Sequence, residues 1–207
     1  MNILKYKKKK NGQYELMLES GEELSLYEDV ILNFDLLLKK AINDKDRDKI
    51  LKMNQEYDVY YVALKSLKSR FRSVKDLKEL LLKKQYPEEY VNQAIDKLLK
   101  QGYLDDCSFA KAYINQQMIT TSKGPFKIER ELLDKGVSSD IIYRELAVFT
   151  KEEQIVKIEK IATRLIKSNR SRGGMVLRKK ITYDLQNLGY DVSVINEGLA
   201  NVEFSDT

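Results

Sequence analysis

The chain has 207 residues, of which 33% are charged, with a formal net charge of +5, one cysteine and no histidine. A lone cysteine excludes an internal disulfide, and the lack of histidine removes the commonest general base and the commonest zinc ligand. Ser–His and Cys–His nucleophile arrangements fall with it, so binding is a better expectation than catalysis.

The first segment alternates in polarity. Residues 3–9, 14–19 and 23–27 are short runs rich in Tyr, Leu and Ile, separated by Asn11-Gly12 and Ser20-Gly21. Asn-Gly between alternating runs signals a hairpin, because both residues tolerate positive φ. A three-stranded antiparallel meander is predicted, then a short helix over 28–34 and a polar helix over 43–53. As many acidic as basic side chains occur in residues 1–56.

From about Tyr57 the apolar period changes from 2 to 3.6, and the remaining elements read as helices. Val59, Val62, Ala63 and Leu67 form one stripe; Val74, Leu77 and Leu81 a second; Val91, Ala94, Ile95 and Leu98 a third. Ser73 can cap the second of these helices, Pro87 suits the first turn of the third, and Gln101-Gly102 ends it. A second set begins at Asp105 with Phe109, Ala110, Tyr113 and Ile114 inward. It continues at Gly124-Pro125 with Ile128 and Leu132, turns at Lys135-Gly136, and restarts at Ser138 with Ile141, Ile142 and Leu146. A third opens at Thr150, whose spacing to Glu153 makes a capping box, and shows Ile155, Ile158, Ala162, Leu165 and Ile166. A basic, Gly-containing loop over 168–174 precedes helices over 175–188 and 192–199.

The three sets superimpose. Leu77 falls on Ile128 and Ile181, Leu81 on Leu132 and Leu185, and Val91 on Ile142 and Ile195, with Gln85, Gly136 and Gly189 at the shared turn. A retained apolar register at a fixed period implies one supersecondary unit used three times. The expected fold is mainly α: tandem three-helix repeats in a curved, solenoid-like body behind a small N-terminal β-meander. The expected divisions are 1–56, 57–103, 104–149 and 150–207. Stacked units present an extended surface, suited to a long partner rather than a small substrate.

Basic residues are the sharpest functional signal. Between Lys157 and Lys180 the only acid is Glu159. Lys157, Lys160, Arg164 and Lys167 recur at three- and four-residue spacing, along one helix face beside the apolar stripe. Arg170 and Arg172 carry the charge into the loop, and Arg178, Lys179 and Lys180 resume it on the next helix. Arg70 and Arg72 lie at a helix junction in the first repeat, with Lys127 and Arg130 in the matching region of the second. Such a ribbon can neutralise phosphates, can meet an acidic protein groove, or can be a solvated face kept charged for solubility. Phe71 and Phe126 could stack on bases or fill a partner pocket, but packing between helices is the favoured reading.

Asp105-Asp106 and Glu152-Glu153 could each hold a divalent ion, yet each pair opens a predicted helix, where negative charge is favoured anyway. No metal or cofactor is expected. Cys107 reads as a small buried hydrophobe or a first-turn thiol. There is no Gly-rich phosphate loop and no uninterrupted apolar run of about 18 residues. A cytoplasmic monomer without membrane contact is expected.

Several stretches resemble the RecX regulatory proteins, bacterial modulators of the RecA recombinase. These are Leu67-Lys68-Ser69-Arg70-Phe71-Arg72-Ser73 with Leu77 and Leu81; Gly102-Tyr103-Leu104-Asp105-Asp106 with Phe109, Ala110 and Tyr113; and Ile128, Glu131, Leu132, Lys135, Gly136 and Val137. The resemblance implies tandem three-helix units that lie in the groove of the RecA filament on single-stranded DNA. It implies suppression of ATP hydrolysis and strand exchange in DNA repair, homologous recombination and the SOS response, with no catalysis by the regulator itself. Gln85 stands where the pattern has glycine, so Tyr86-Pro87 is expected to manage that turn. The rival readings are a helix-turn-helix-like DNA-binding protein acting without RecA, an interaction scaffold with no nucleic-acid contact, and, third, a divalent-dependent catalyst that would lose turnover on Asp105→Asn with Asp106→Asn.

Overall fold

The computed structural model describes residues 1–9, 12–168 and 174–204, and the chain divides into two compact units, Met1–Leu104 and Asp105–Thr207. The first unit opens with strands β1 (Ile3–Lys8), β2 (Gln13–Leu18) and β3 (Glu23–Tyr27), an antiparallel sheet in the order β1-β2-β3. Tyr6 pairs with Leu16 and Tyr14 with Leu26, which sends Leu16, Leu18 and Leu26 inward against α1 (Glu28–Asn33). Gly12 and Gly21 take positive φ beside the two turns; Asn11 lies outside the described residues.

Two features after the sheet differ from the sequence reading. A four-residue helix, α2 (Leu36–Lys39), sits between Asp35 and Lys40, both left-handed at φ 54° and 49°. The polar helix and the first apolar stripe are one 26-residue helix, α3 (Asp44–Ser69), because neither Gly nor Pro interrupts the stretch between Met53 and Tyr57. The Asn43 side chain caps α3 through the Lys45 N–H. Helices α4 (Val74–Lys83) and α5 (Glu88–Lys100) then pack on it.

This unit has two apolar clusters. One gathers Leu16, Leu18, Leu26, Val30, Ile31, Leu36 and Ile50; the other gathers Val59, Ala63, Leu77, Leu81, Val91 and Leu98. Tyr57 and Tyr61 touch both. The Asp58 carboxylate accepts from the Tyr27 and Tyr86 hydroxyls, each at 2.7 Å, and Asp29 accepts from Tyr61 at 2.6 Å. The Tyr27 and Tyr61 rings stack at 4.8 Å. Helix α3 is thereby fastened to the sheet on one side and to the α4–α5 turn on the other.

The second unit is helical: α6 (Asp106–Thr120), α7 (Pro125–Asp134), α8 (Ser139–Leu146), α9 (Lys151–Ser168), α10 (Gly174–Asn187) and α11 (Val192–Gly198). One continuous core joins its two sets of three helices, with Ile114, Ile128, Leu132, Ile158, Ile181, Leu185, Ile195 and Leu199 fully buried. Burying each such side chain contributes about 2 kcal/mol. Thr150 and Glu153 form the reciprocal capping box, the Thr150 N–H donating to Glu153 and the Glu153 N–H to the Thr150 hydroxyl.

The shared turn is built in more than one way. Gly136 and Gly189 take φ of 79° and 92°. Gln85 takes 66° itself, while the Gln85 and Tyr86 N–H groups reach the Leu82 and Leu81 carbonyls. The left-handed residue is therefore Gln85, not part of a Tyr86-Pro87 device, at a cost of about 1 kcal/mol. Pro87 stands one place earlier than anticipated, at the N-cap of α5.

Gly189 has a second role. The Gly124 N–H donates to the Leu188 carbonyl at 2.7 Å, and the Phe126 N–H to the Gly189 carbonyl at 3.1 Å. The α10–α11 turn thus satisfies donors that the start of α7 would otherwise leave open. The backbones approach so closely that a Cβ on Gly124 would meet the Gly189 oxygen at 2.5 Å, and one on Gly189 would meet the Lys127 nitrogen at 2.5 Å. The Tyr190 hydroxyl closes the junction on the Lys123 carbonyl at 3.3 Å.

Candidate functional site

Helix α9 carries the densest row of candidate cations. Ile158, Ile161 and Ala162 face the core, and Lys157, Lys160, Arg164 and Lys167 run along the adjoining face. The four are not equivalent. Lys157 is turned inward: its ammonium donates to the Met118 carbonyl at 2.5 Å and lies over the Phe149 ring at 5.4 Å. Desolvation by burial pulls its pKa below the usual lysine range. Lys160, Arg164 and Lys167 are exposed, and among the described residues Arg164 meets only the Ser122 hydroxyl, at 3.1 Å.

Beside this row, the end of α6 and the start of α9 enclose an open groove of about 540 Å³. Met118, Ile119, Phe149 and Val156 supply its apolar walls and Lys160 part of its rim. Ile119 is 84% exposed there. It lies off the α6 stripe of Phe109, Ala110 and Ile114, an apolar residue on a solvent face that the sequence pattern contains but that periodicity alone passes over.

The other candidates are dispersed. Lys127 and Arg130 are exposed on α7, with Lys127 beside the Gly189 turn at the C-terminal end of α10. Arg178 and Lys179 are exposed towards the other end of α10, about 16 Å away along the helix axis at 1.5 Å per residue. The Arg178 guanidinium sits 5.6 Å from the Phe204 ring centroid, and Lys180 is ion-paired with Asp184 at 2.9 Å. Arg170 and Arg172 lie outside the described residues. In the first unit, Arg70 and Arg72 occupy the segment between α3 and α4, where the buried Ser73 hydroxyl caps α4 through the Asp76 N–H.

The aromatic expectation is overturned. Phe71 and Phe126 do not pack between helices; they are 73% and 56% exposed. Phe71 follows the end of α3, past its apolar stripe. Phe126 is two residues, or about 200°, around α7 from buried Ile128. Tyr60 and Tyr61, by contrast, are spent on Gln101 and Asp29.

One member of each carboxylate pair has structural employment, Glu153 in the Thr150 capping box and Asp105 at the start of α6. Asp105 accepts from the Cys107 and Ser108 N–H groups at the start of α6. Hydrogen bonds from Ser108, its side chain foremost, hold the Asp105 carboxyl below the usual range. The Cys107 sulfur is half-buried, 3.0 Å from an Arg144 guanidinium nitrogen and 3.4 Å from Glu145. No helix among the described residues is long and apolar enough to cross a membrane.

Comparison with known proteins places this arrangement. Two family models match: the first three-helix domain of RecX over residues 60–98 and the second over residues 105–144. Regulatory protein RecX of Bacillus velezensis is 30% identical over 199 residues, spanning 96% of this chain and 76% of that protein. Regulatory protein RecX of Halalkalibacterium halodurans is 30% identical with the same coverage. A crystal structure of regulatory protein RecX matches with a TM-score of 0.82 at 27% identity, over 97% of this chain and 99% of that one.

Proposed function

Because the chain belongs to the RecX family of regulatory proteins, we propose that it binds the RecA filament on single-stranded DNA and lowers its ATP hydrolysis and recombinase activity. The protein acts in this reading as a cytoplasmic monomer without catalysis of its own. The observation that carries it is the row Lys160, Arg164 and Lys167: three exposed cations along one helix, none ion-paired among the described residues. Charges left without carboxylates of their own are available to phosphates and to acidic groups of a partner. Lys127, Arg130 and Lys179 extend the same chemistry over α7 and α10, and Arg70 and Arg72 over the first unit. Lys157 and Lys180 are better assigned to holding the second unit together.

A bound regulator shifts the filament only by binding one of its states more tightly than another. A protein that bridges neighbouring protomers through several such cations disfavours the cycling that hydrolysis requires. The test is charge reversal, Lys160→Glu with Arg164→Glu and Lys167→Glu, read as binding to preformed filaments. Loss of ten-fold or more in affinity is expected, since each pairing of charged groups across an interface contributes on the order of 1–2 kcal/mol. Unchanged binding would remove α9 from the interface. Strong preference for one duplex sequence, with no effect on RecA, would favour the helix-turn-helix reading instead.

A further inference from the structure

The segment between α3 and α4 holds an arrangement that stability does not explain. Phe71 is 73% exposed and is flanked in sequence by Arg70 and Arg72. The Arg70 backbone is extended, at φ −166° and ψ 155°, so the helical path ends there. Arg72 is half-buried, and its Nε is shielded from solvent with no hydrogen-bond acceptor among the described residues. Desolvation first, and the neighbouring Arg70 charge second, pull the Arg72 guanidinium below its ordinary pKa, opposed only by Asp76. Lys65 and Lys68 are exposed on the last turns of α3, and none of these four cations is ion-paired among the described residues. A large ring in water beside two mutually repelling guanidinium groups, one of them with a shielded Nε that lacks an acceptor among the described residues, is costly twice over. One kind of ligand relieves both costs: an anion carrying a flat apolar face.

We propose that Arg70, Phe71 and Arg72 form a nucleotide subsite for single-stranded nucleic acid, in which a phosphate bridges the two guanidinium groups and its base stacks on the Phe71 ring. Guanidinium groups suit phosphate because their planar donors match its oxygens. Stacking on an aromatic ring accepts any base, since every base has a π-face, which fits a contact that reads no sequence. Lys65 and Lys68 take the phosphates on either side. The neighbouring Ser73 hydroxyl is already committed to capping α4, so the subsite rests on Arg70, Phe71 and Arg72 and not on the helix terminus. A polyacidic protein segment would satisfy the cations but leave the ring in water, so an exposed phenyl group between two guanidinium groups fits nucleic acid better.

This deepens the filament reading by giving the single strand its own contact, and it is testable without RecA. The chain has no tryptophan, so Phe71→Trp in the full-length protein places a sole indole at the subsite. An oligothymidylate of about 12 nucleotides, a length within the usual single-strand site sizes, is expected to quench that indole at low salt. An abasic oligomer of the same length is expected to bind with little quenching. Phe71→Ala should weaken oligothymidylate binding by about ten-fold, in line with the loss of one stacked base. Arg70→Ala with Arg72→Ala should reduce the salt slope of log affinity by about 0.7, the share of the one phosphate the two guanidinium groups hold between them. No oligonucleotide binding, binding without quenching, or quenching by polyglutamate but not by oligothymidylate would each overturn the proposal. Quenching retained alongside an unaffected RecA ATPase would support the subsite and count against the filament reading alone.

Discussion

The two units solve the same assembly problem with different materials. In Met1–Leu104 the parts are joined by side chains: Asp58 gathers the hydroxyls of Tyr27 and Tyr86, Asp29 takes that of Tyr61, and two apolar clusters stay distinct. In Asp105–Thr207 the parts are joined by backbone, with Gly124 and Gly189 pressed together over one continuous core. A side-chain junction tolerates adjustment at either partner. A backbone junction demands the absence of a side chain on both. The repeated turn follows the same division: the first unit accepts Gln85 at positive φ with its side chain exposed, whereas the second requires glycine at position 189 for φ and for space.

The sharpest way to break this contrast is Gly189→Ala. Its Cβ would need to displace the Lys127 backbone, and its φ of 92° is strained for any L-residue, so a loss of about 3 kcal/mol or more is expected. Hydrogen exchange should show the loss confined to the second unit. Gly124→Ala, whose Cβ meets the Gly189 carbonyl, should act in the same place. Equal destabilisation of both units would refute the claim that the junction is local.

Asp58→Ala probes the other mode. It removes one carboxylate from two tyrosine hydroxyls and should cost the first unit about 2 kcal/mol, with the second unit unmoved. The same tyrosines set an alkaline limit. Desolvation, assisted by the hydrogen bond to Asp58, pushes Tyr86 up to about 12 from its usual 10, and burial likewise raises Tyr27 and Tyr61. A phenol held neutral in the fold contributes stability that is fully present below the unfolded pKa near 10 and lost as pH rises through the folded value. Thermal melts between pH 9 and about 12 should therefore show the first unit weakening. Tyr190 is raised by burial in the second unit too, so that unit weakens over the same range through this phenol, where the first unit has Tyr27, Tyr61 and Tyr86.

The smallest effect runs in the opposite direction. Gln85→Gly should stabilise the first unit by up to about 1 kcal/mol, by relieving a side chain from a left-handed backbone. A loss of stability instead would show that Gln85 makes a contact more valuable than the strain it carries.

How much of this was legible follows from what each feature depends on. The repeat register was readable because Leu77, Ile128 and Ile181, and their companions Leu81, Leu132 and Leu185, are selected by burial alone; all six are fully buried. The capping box at Thr150, the cap at Ser73 and the helix start at Asp105 were readable because each rests on bonds across two or three residues. Glycine at 189 was visible as a turn, but its contact with Gly124 was not, since the partner lies far away in sequence. Likewise nothing marks Asp58 among the other acids of α3 as the group that Tyr27 and Tyr86 seek. The cationic face of α9 was visible from spacing, yet the inward turn of Lys157 depends on the Met118 carbonyl, which only the tertiary structure brings near. Phe71 and Phe126 were misjudged because composition favours burying aromatic rings, while their positions off the stripes expose them.

The most direct test of the regulatory reading is RecA's ATP hydrolysis on single-stranded DNA, with this protein titrated in at physiological salt. The account predicts that hydrolysis falls as the protein is added, and that the fall is blunted by reversing the charges of Lys160, Arg164 and Lys167. Hydrolysis unchanged at saturating protein, with DNA binding intact, would contradict it.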